Sequence, residues 1–384
     1  MPHQGPGAQG RVYLDHASSS PLRPVALDAM LPYLTEHIAD PGRVHSDGRI
    51  TRVAIEQARE QVAALVGARP REVVFTSGGT EAVNTAIYGA VRHRTDGTAV
   101  VTTAVEHSSV VDACEREEVT TVTVGVDGTG RFSSAAVLDA LTPTTALVSI
   151  QLANHEVGTR QPAAEVAAGA RERGVLVHVD ACAAVGVGPV DFAALGADLL
   201  SVTAHPWGGP KGAGALVIRR GLRIPALLVG GMQERARRGG LENIPAIVGF
   251  GAAAEAVAGT VAAEAAAARL HTDRLRHELP HLVDGITFYG DPVDSVPNLV
   301  CFGVSGVEAE PILLALDQHG IAIHSGSACS SESLEPSPVL AAMGADSDHA
   351  LRVSVGWCST AADLDRFLGV FPGIIERFRG LRSP

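Results

Sequence analysis

The sequence predicts an α/β protein built on a mostly parallel sheet, with a smaller α/β unit toward the C-terminus. Short β-branched runs alternate with segments of helical periodicity along much of the chain. Polar, glycine-bearing stretches follow several of these runs, at the strand ends where such sheets hold ligands. The length of 384 residues, 46% hydrophobic and 19% charged, supplies one large core and a second smaller one.

In chain order, VAIEQAREQVAALVGA (53–68) places apolar residues at helical spacing, EVVFTS (72–77) reads as a buried strand, and TEAVNTAIYGAVRHR (80–94) reads as helix again. AVVTTA, TVTVGV, TALVSIQ, VLVHVD and DLLSVTA continue the strands, with SAAVLDAL and PAAEVAAGARERG as helices between them. A long Ala-rich helix, about Pro245 to Leu270, leads to DSVPNLVCFGV, EPILLALDQHG and ALRVSVGW, which read as the smaller α/β unit. The expected division is a flexible arm over 1–12, a large domain over 13–255 and a small domain over 256–384.

A net charge of -12 and a pI near 5.6 argue against a nucleic-acid partner, which needs clustered cations to release counterions. The apolar stretch 249–270 is interrupted by Glu255 and Glu264, so no membrane span is expected. No secretory leader is read before RVYLDHASSS. Five cysteines, Cys114, Cys182, Cys301, Cys329 and Cys358, lie far apart without CxxC spacing, which suits a reducing cytoplasm. Of the 30 basic residues, one is lysine, Lys211. Any reaction that needs a lysine must use it.

Several strand-end motifs carry chemistry. In TSGGTEAVN (76–84), a turn with Gly78 and Gly79 before a helix offers free backbone N–H groups to a phosphate, although many βα turns carry glycines for backbone reasons alone. VEHSSV places His107 at a helix start, where a plain cap is the simpler role. HVDACAAVG puts Asp180 at a strand end, where a carboxylate can pair with a protonated pyridine nitrogen or merely cap a helix. HSGSACSSESLEPS presents Cys329 among small residues that favour access to its thiol, although taken singly an ordinary loop cysteine is the default.

Together, in this order and spacing, these motifs resemble the cysteine desulfurases of the iron-sulfur assembly type, within the class V aminotransferase-like enzymes that use pyridoxal phosphate. The resemblance runs from YLDHASSSPLRPVALDAMLPYL to LRVSVGW and is most specific in GSACSSESLEPSPVLAAMG. It implies the type I fold of pyridoxal-phosphate transferases, with the Cys329 loop carried by the small domain. It also implies a cofactor-bound cysteine whose sulfur is attacked by Cys329, leaving alanine and a persulfide that passes to an acceptor protein. By the same resemblance Thr76 contacts the phosphate, His107 stacks on the ring and moves protons, and Asp180 pairs with the pyridine nitrogen. His205 precedes the Schiff-base lysine, Thr203 stands for a phosphate-binding serine, and Arg352 clamps the substrate carboxylate.

Four positions depart from the family pattern. Pro206 in SVTAHPWGGPKGAGAL occupies the lysine position, Ala183 replaces a glutamine, His155 in ANHEVG replaces an asparagine, and Leu241 in RRGGLENIP replaces a threonine that reaches the dimer partner's phosphate. Lys211 matches a second, non-catalytic lysine, and rescue from there needs a remodelled turn. Pyridoxal phosphate, if bound, is therefore expected without a covalent bond.

Three readings follow. The first is sulfur mobilisation from L-cysteine, or persulfide transfer from another donor, through Cys329 by altered chemistry. In the second the chain is a catalytically inactive homologue, serving as a scaffold or as one half of a heterodimer with a paralogue rather than as a homodimer. The third places a divalent metal on His107, His155 and Asp180, a ligand set with open positions, with simple filling of volume by His155 as the plainer account.

Overall fold

A computed structural model describes residues 10–94, 98–325 and 336–382. The chain opens with β1 (Val12–Tyr13), α1 (Pro24–Thr35), α2 (Ser46–Leu65), β2 (Val73–Thr76), α3 (Gly79–His93), β3 (Ala99–Thr103), α4 (Ser108–Arg116) and β4 (Thr120–Val124). It continues through α5 (Ser134–Asp139), β5 (Thr145–Gln151), α6 (Ala163–Glu172), β6 (Leu176–Asp180), α7 (Phe192–Leu195), β7 (Leu199–Thr203) and β8 (Gly214–Ile218). A short left-handed turn, α8 (Gln233–Ala236), precedes the long α9 (Ile244–Leu282). The remainder holds β9 (Ile286–Tyr289), β10 (Leu299–Val304), α10 (Ala309–Gln318), β11 (Ile321–Ala322), β12 (His324–Ser325), α11 (Pro338–Ala342), β13 (Ala350–Ser354) and α12 (Ala361–Arg382).

The large sheet has seven strands in the order β2-β8-β7-β6-β5-β3-β4. Only β8 runs against its neighbours, so the sheet is mixed but mostly parallel. Its central strands are near-continuous apolar runs because helices cover both faces. The ends of β5, β6 and β7 bring Gln151, Asp180 and Thr203 to one edge, where ligands of such sheets sit. Because β2 runs parallel to β7 across β8, its terminal Thr76 reaches the same edge.

A four-stranded antiparallel sheet, β12-β13-β10-β9, forms the second layer system. Phe302 on β10 packs edge-on against Phe371 of α12, and Leu275 and Leu279 from the end of α9 complete this core. The N-terminal segment joins this part: Val12 pairs with Ile321, and Asp15 bridges to Ser354. The expected domain boundary after residue 255 falls inside α9, a continuous 39-residue helix that serves both cores.

That helix corrects the reading of the membrane test. By length and composition α9 is apolar enough to cross a bilayer, despite Glu255 and Glu264. In the fold its first half is the shared wall for α1 and α2, with Phe250, Ala253, Ala254 and Val257 fully buried. It also runs past the expected end at Leu270 to Leu282, carrying Pro280 inside its last turn.

Candidate active site

A cavity of about 250 Å3 opens at the carboxyl edge of the large sheet. Asp180, the last residue of β6, lies on its floor, and its Oδ1 accepts the Cys182 backbone N–H at 3.0 Å. The Cys182 thiol is pushed well above its ordinary value by burial and by Asp180. It also explains Gly79, since a Cβ there would stand 2.5 Å from the Cys182 sulfur.

Gly79 and Thr80 begin the 15-residue α3, whose unpaired N–H groups and positive dipole end favour an anion. Thr203, whose Cβ lies 3.6 Å from where a Gly79 Cβ would stand, and His205 line the same cavity. Thr203 Oγ1 and His205 Nδ1 are buried with no hydrogen-bond partner. Burial, with the charge of Lys211, holds His205 below its ordinary value. The expected contacts Thr76 and Gly78 sit just outside: Thr76 Oγ1 donates to the Gly78 carbonyl at 2.9 Å, and neither residue lines the cavity.

His107 caps α4, its Nδ1 accepting the Ser109 N–H at 3.1 Å. That bond uses the Nδ1 lone pair, so the neutral ring carries its proton on Nε2. The His155 ring meets it edge to face, with centroids 5.2 Å apart. Asn154 fixes the turn beneath His155 by accepting the Glu156 and Val157 N–H groups, each at 2.8 Å. Burial, His107 and Arg352 together push His155 well below its ordinary value, so it is neutral at physiological pH.

Arg352, 1% exposed on β13, reaches across from the small sheet. It donates to the His155 carbonyl at 2.9 Å, to Asp15 Oδ1 at 2.9 Å and to Ser18 Oγ at 2.6 Å. Asp15 and Ser18 were not singled out from the sequence; their signal is their place in the quoted YLDHASSS stretch. Glu106, also missed, immediately precedes His107 in VEHSSV. It is buried, with Thr103 donating to one oxygen and the other left without a partner. Burial pushes its carboxyl up to about 8, and the neighbouring charge of Asp180 adds to the rise.

Pro206 and Ala183 line the cavity beside these groups. The Pro206 carbonyl accepts Ser20 Oγ–H at 2.6 Å. Ser20 must then accept from His16 Nδ1–H at 2.8 Å, which leaves His16 Nε2 to accept from Ser359 Oγ at 3.1 Å. Ser359 in turn accepts the Gly356 N–H. Burial lowers His16 to about 4, which keeps it in the neutral form this chain of bonds requires.

Lys211 is exposed on the turn before β8 and is absent from the cavity lining; no lysine is among the described residues that form it. Leu241 is 62% exposed and also outside the cavity. Cys329 lies outside the described residues. The metal reading is corrected: among the described residues no three His, Cys, Asp or Glu side chains are grouped to hold an ion. His107 and His155 meet ring edge to ring face, and Nδ1 of His107 is committed to capping α4.

The orphaned Thr203 hydroxyl and His205 nitrogen, the α3 N-terminus and the Asp180 carboxylate fit the phosphate and pyridine ring of pyridoxal phosphate. Among the described residues no side-chain amine lines the cavity to bond its aldehyde.

The description "Aminotransferase class-V" matches residues 12–367. A cysteine desulfurase of Cereibacter sphaeroides is 42% identical over 379 residues, covering 97% of each chain. A cysteine desulfurase IscS of Methanosarcina thermophila is 39% identical over 377 residues, covering 96% of this chain and 93% of its own. Among solved structures, a NifS-like protein superposes with a TM-score of 0.90 at 29% identity, over 96% of this chain and 100% of that one. The chain belongs to the aminotransferase class-V family. It stands with the cysteine desulfurases there, as an enzyme of the pyridoxal-phosphate-dependent sulfurtransferase kind.

Proposed function

We propose that the protein mobilises sulfur from L-cysteine with pyridoxal phosphate held without a covalent bond, and that Cys329 carries the sulfur to an acceptor protein in the cytoplasm. The observation that carries this reading is the buried, unpartnered Thr203 Oγ1 in a cavity lined also by the start of α3, His205 and Asp180. Leaving such a hydroxyl unpaired costs about 1–3 kcal/mol, and a phosphate oxygen would remove that cost.

Bound pyridoxal phosphate supplies the electron sink for breaking the carbon–sulfur bond. Asp180 would accept the pyridine N–H and keep the ring protonated. His107, with its proton on Nε2, would lie against the ring as a proton donor. Arg352 takes the substrate carboxylate, for which Asp15 and Ser18 hold its guanidinium in place. Relatives named cysteine desulfurase support L-cysteine as substrate, and the family pattern supports a dimer and an acceptor protein.

The test is incubation with pyridoxal phosphate and L-cysteine, followed by assay of alanine, sulfide and persulfide. Alanine formation that Cys329→Ser abolishes is the expected result. No retained cofactor and no alanine overturn the reading. An inactive role beside a lysine-bearing paralogue is the second reading, favoured by the lack of an amine in the cavity lining. Alanine formed only after mixing with such a paralogue would select it.

A further inference from the structure

We infer that His155 is the base of this cavity: it draws a proton from the α-ammonium group of the incoming amino acid, work left open where no amine lines the site. The inference rests on the functional reading above and adds a named proton acceptor to it. An amino acid arrives as a zwitterion, and its nitrogen has no lone pair with which to attack until a proton leaves.

The candidates can be counted from the cavity wall. Asp180 is committed to the pyridine N–H. The Cys182 thiol is held protonated by burial and Asp180. His205 presents its unpartnered Nδ1 at the phosphate end, beside Thr203. His107 has spent its Nδ1 lone pair on the Ser109 N–H, and its other nitrogen carries the proton. In His155, by contrast, Nε2 makes no hydrogen bond, its nearest carboxylate oxygen being Glu156 Oε1 at 3.6 Å. With Nε2–H turned toward that carboxylate, Nδ1 keeps a lone pair for the cavity.

Position and charge agree with this assignment. Arg352 donates to the backbone carbonyl of His155, so the carboxylate clamp and the base are tied together. A carboxylate held by Arg352 therefore puts the α-nitrogen, attached to the neighbouring carbon, inside the cavity that His155 also lines. The charged and titratable groups around the ring are His107 at the start of α4, Arg352 on β13 with Asp15 behind it, Glu156 in the same turn, and Asp180 with Glu106 at the floor. Burial, with His107 and Arg352 close by, keeps His155 unprotonated while it waits. The substrate carboxylate offsets Arg352, so the ring becomes a stronger base on arrival of the amino acid. In the step itself an N–H bond of the ammonium breaks, its electron pair stays on the substrate nitrogen, and a new N–H bond forms at His155 Nδ1. The resulting imidazolium faces Glu156.

The experiment follows capture of L-alanine, which has no sulfur to lose, by protein loaded with pyridoxal phosphate, through the change in visible absorption. His155→Asn is expected to slow capture on the order of 100-fold, the scale of a lost general base, with partial rescue by added imidazole. Its rate should also climb with pH in step with the free amine of alanine, unlike wild type. Equal retention of pyridoxal phosphate after dialysis shows that the variant cavity is intact. Capture at the wild-type rate, with the wild-type pH profile and the cofactor retained, overturns the role of His155 and leaves the functional reading standing. Failure of wild type to retain the cofactor overturns both.

Discussion

The two walls of the cavity differ in what they leave unsatisfied. On the wall made by α3, β6 and β7, polar atoms wait without partners: Thr203 Oγ1 and His205 Nδ1 are buried and unbonded. On the opposite wall Asp15, Ser18 and the His155 carbonyl engage Arg352, while on the turn that carries His205 the Pro206 carbonyl is met by Ser20. The first wall offers unpaired groups to a phosphorylated ring, and beside them position 206 carries a proline, which has no amine to bond to such a ring. Holding a cofactor and joining to it are separable properties, and this chain keeps the surface for one without the amine for the other.

Three substitutions probe that contrast, beginning with the largest effect. Pro206→Lys places an amine in the cavity while leaving the Ser20 contact to the backbone carbonyl available. It is expected to convert non-covalent retention of pyridoxal phosphate into a borohydride-reducible bond at position 206, read as an added mass on that peptide. Cofactor still bound but never trapped would break the contrast.

A smaller effect is expected from Thr203→Val on the first wall. Loss of one hydrogen bond to a charged phosphate, about 1.5–3 kcal/mol, should weaken binding of pyridoxal phosphate roughly 13- to 160-fold in equilibrium titration. The melting temperature without ligand should hold or rise, because the valine leaves no buried hydroxyl unpaired. A drop in melting temperature with unchanged affinity would show that the hydroxyl serves the fold rather than the ligand.

A separate effect, read in stability rather than in binding, concerns Glu106, buried beside Asp180. Glu106 holds its proton up to about 8 against an ordinary 4.5. Its folded value is raised, so its stabilising contribution is complete below about 4.5 and is lost as pH rises through about 8. Melting temperatures at about pH 5 and about pH 9 should therefore fall less in Glu106→Gln than in wild type. An identical fall in both would mean that Glu106 is already ionised in the folded protein.

Strand ends were the legible part of the site. Asp180, Thr203 and His205 follow apolar runs whose period-2 and buried patterns place them at the carboxyl edge, and the structure brings them to one cavity. Arg352 was legible through motif resemblance, but its partners were not, because Asp15 and Ser18 are more than 300 positions away in sequence. Glu106 was hidden for another reason: a glutamate beside a histidine reads as a solvated helix start, and only burial against Thr103 and Asp180 changes its chemistry. The antiparallel β8 carried no warning either, since the apolar run Gly214–Ile218 says nothing of its direction. His155 was named as a departure, yet its edge-to-face approach to His107 belongs to the tertiary fold.

The bonds running from Gly356 through Ser359, His16 and Ser20 to the Pro206 carbonyl all point the same way. They tie three distant stretches of chain into a strut between the end of the small sheet and the turn after β7. A tilt of the smaller sheet on the larger one pulls directly on the backbone of Pro206, so the turn after β7 is geared to the orientation of the two halves. Any lysine installed at that position would ride on the same gear.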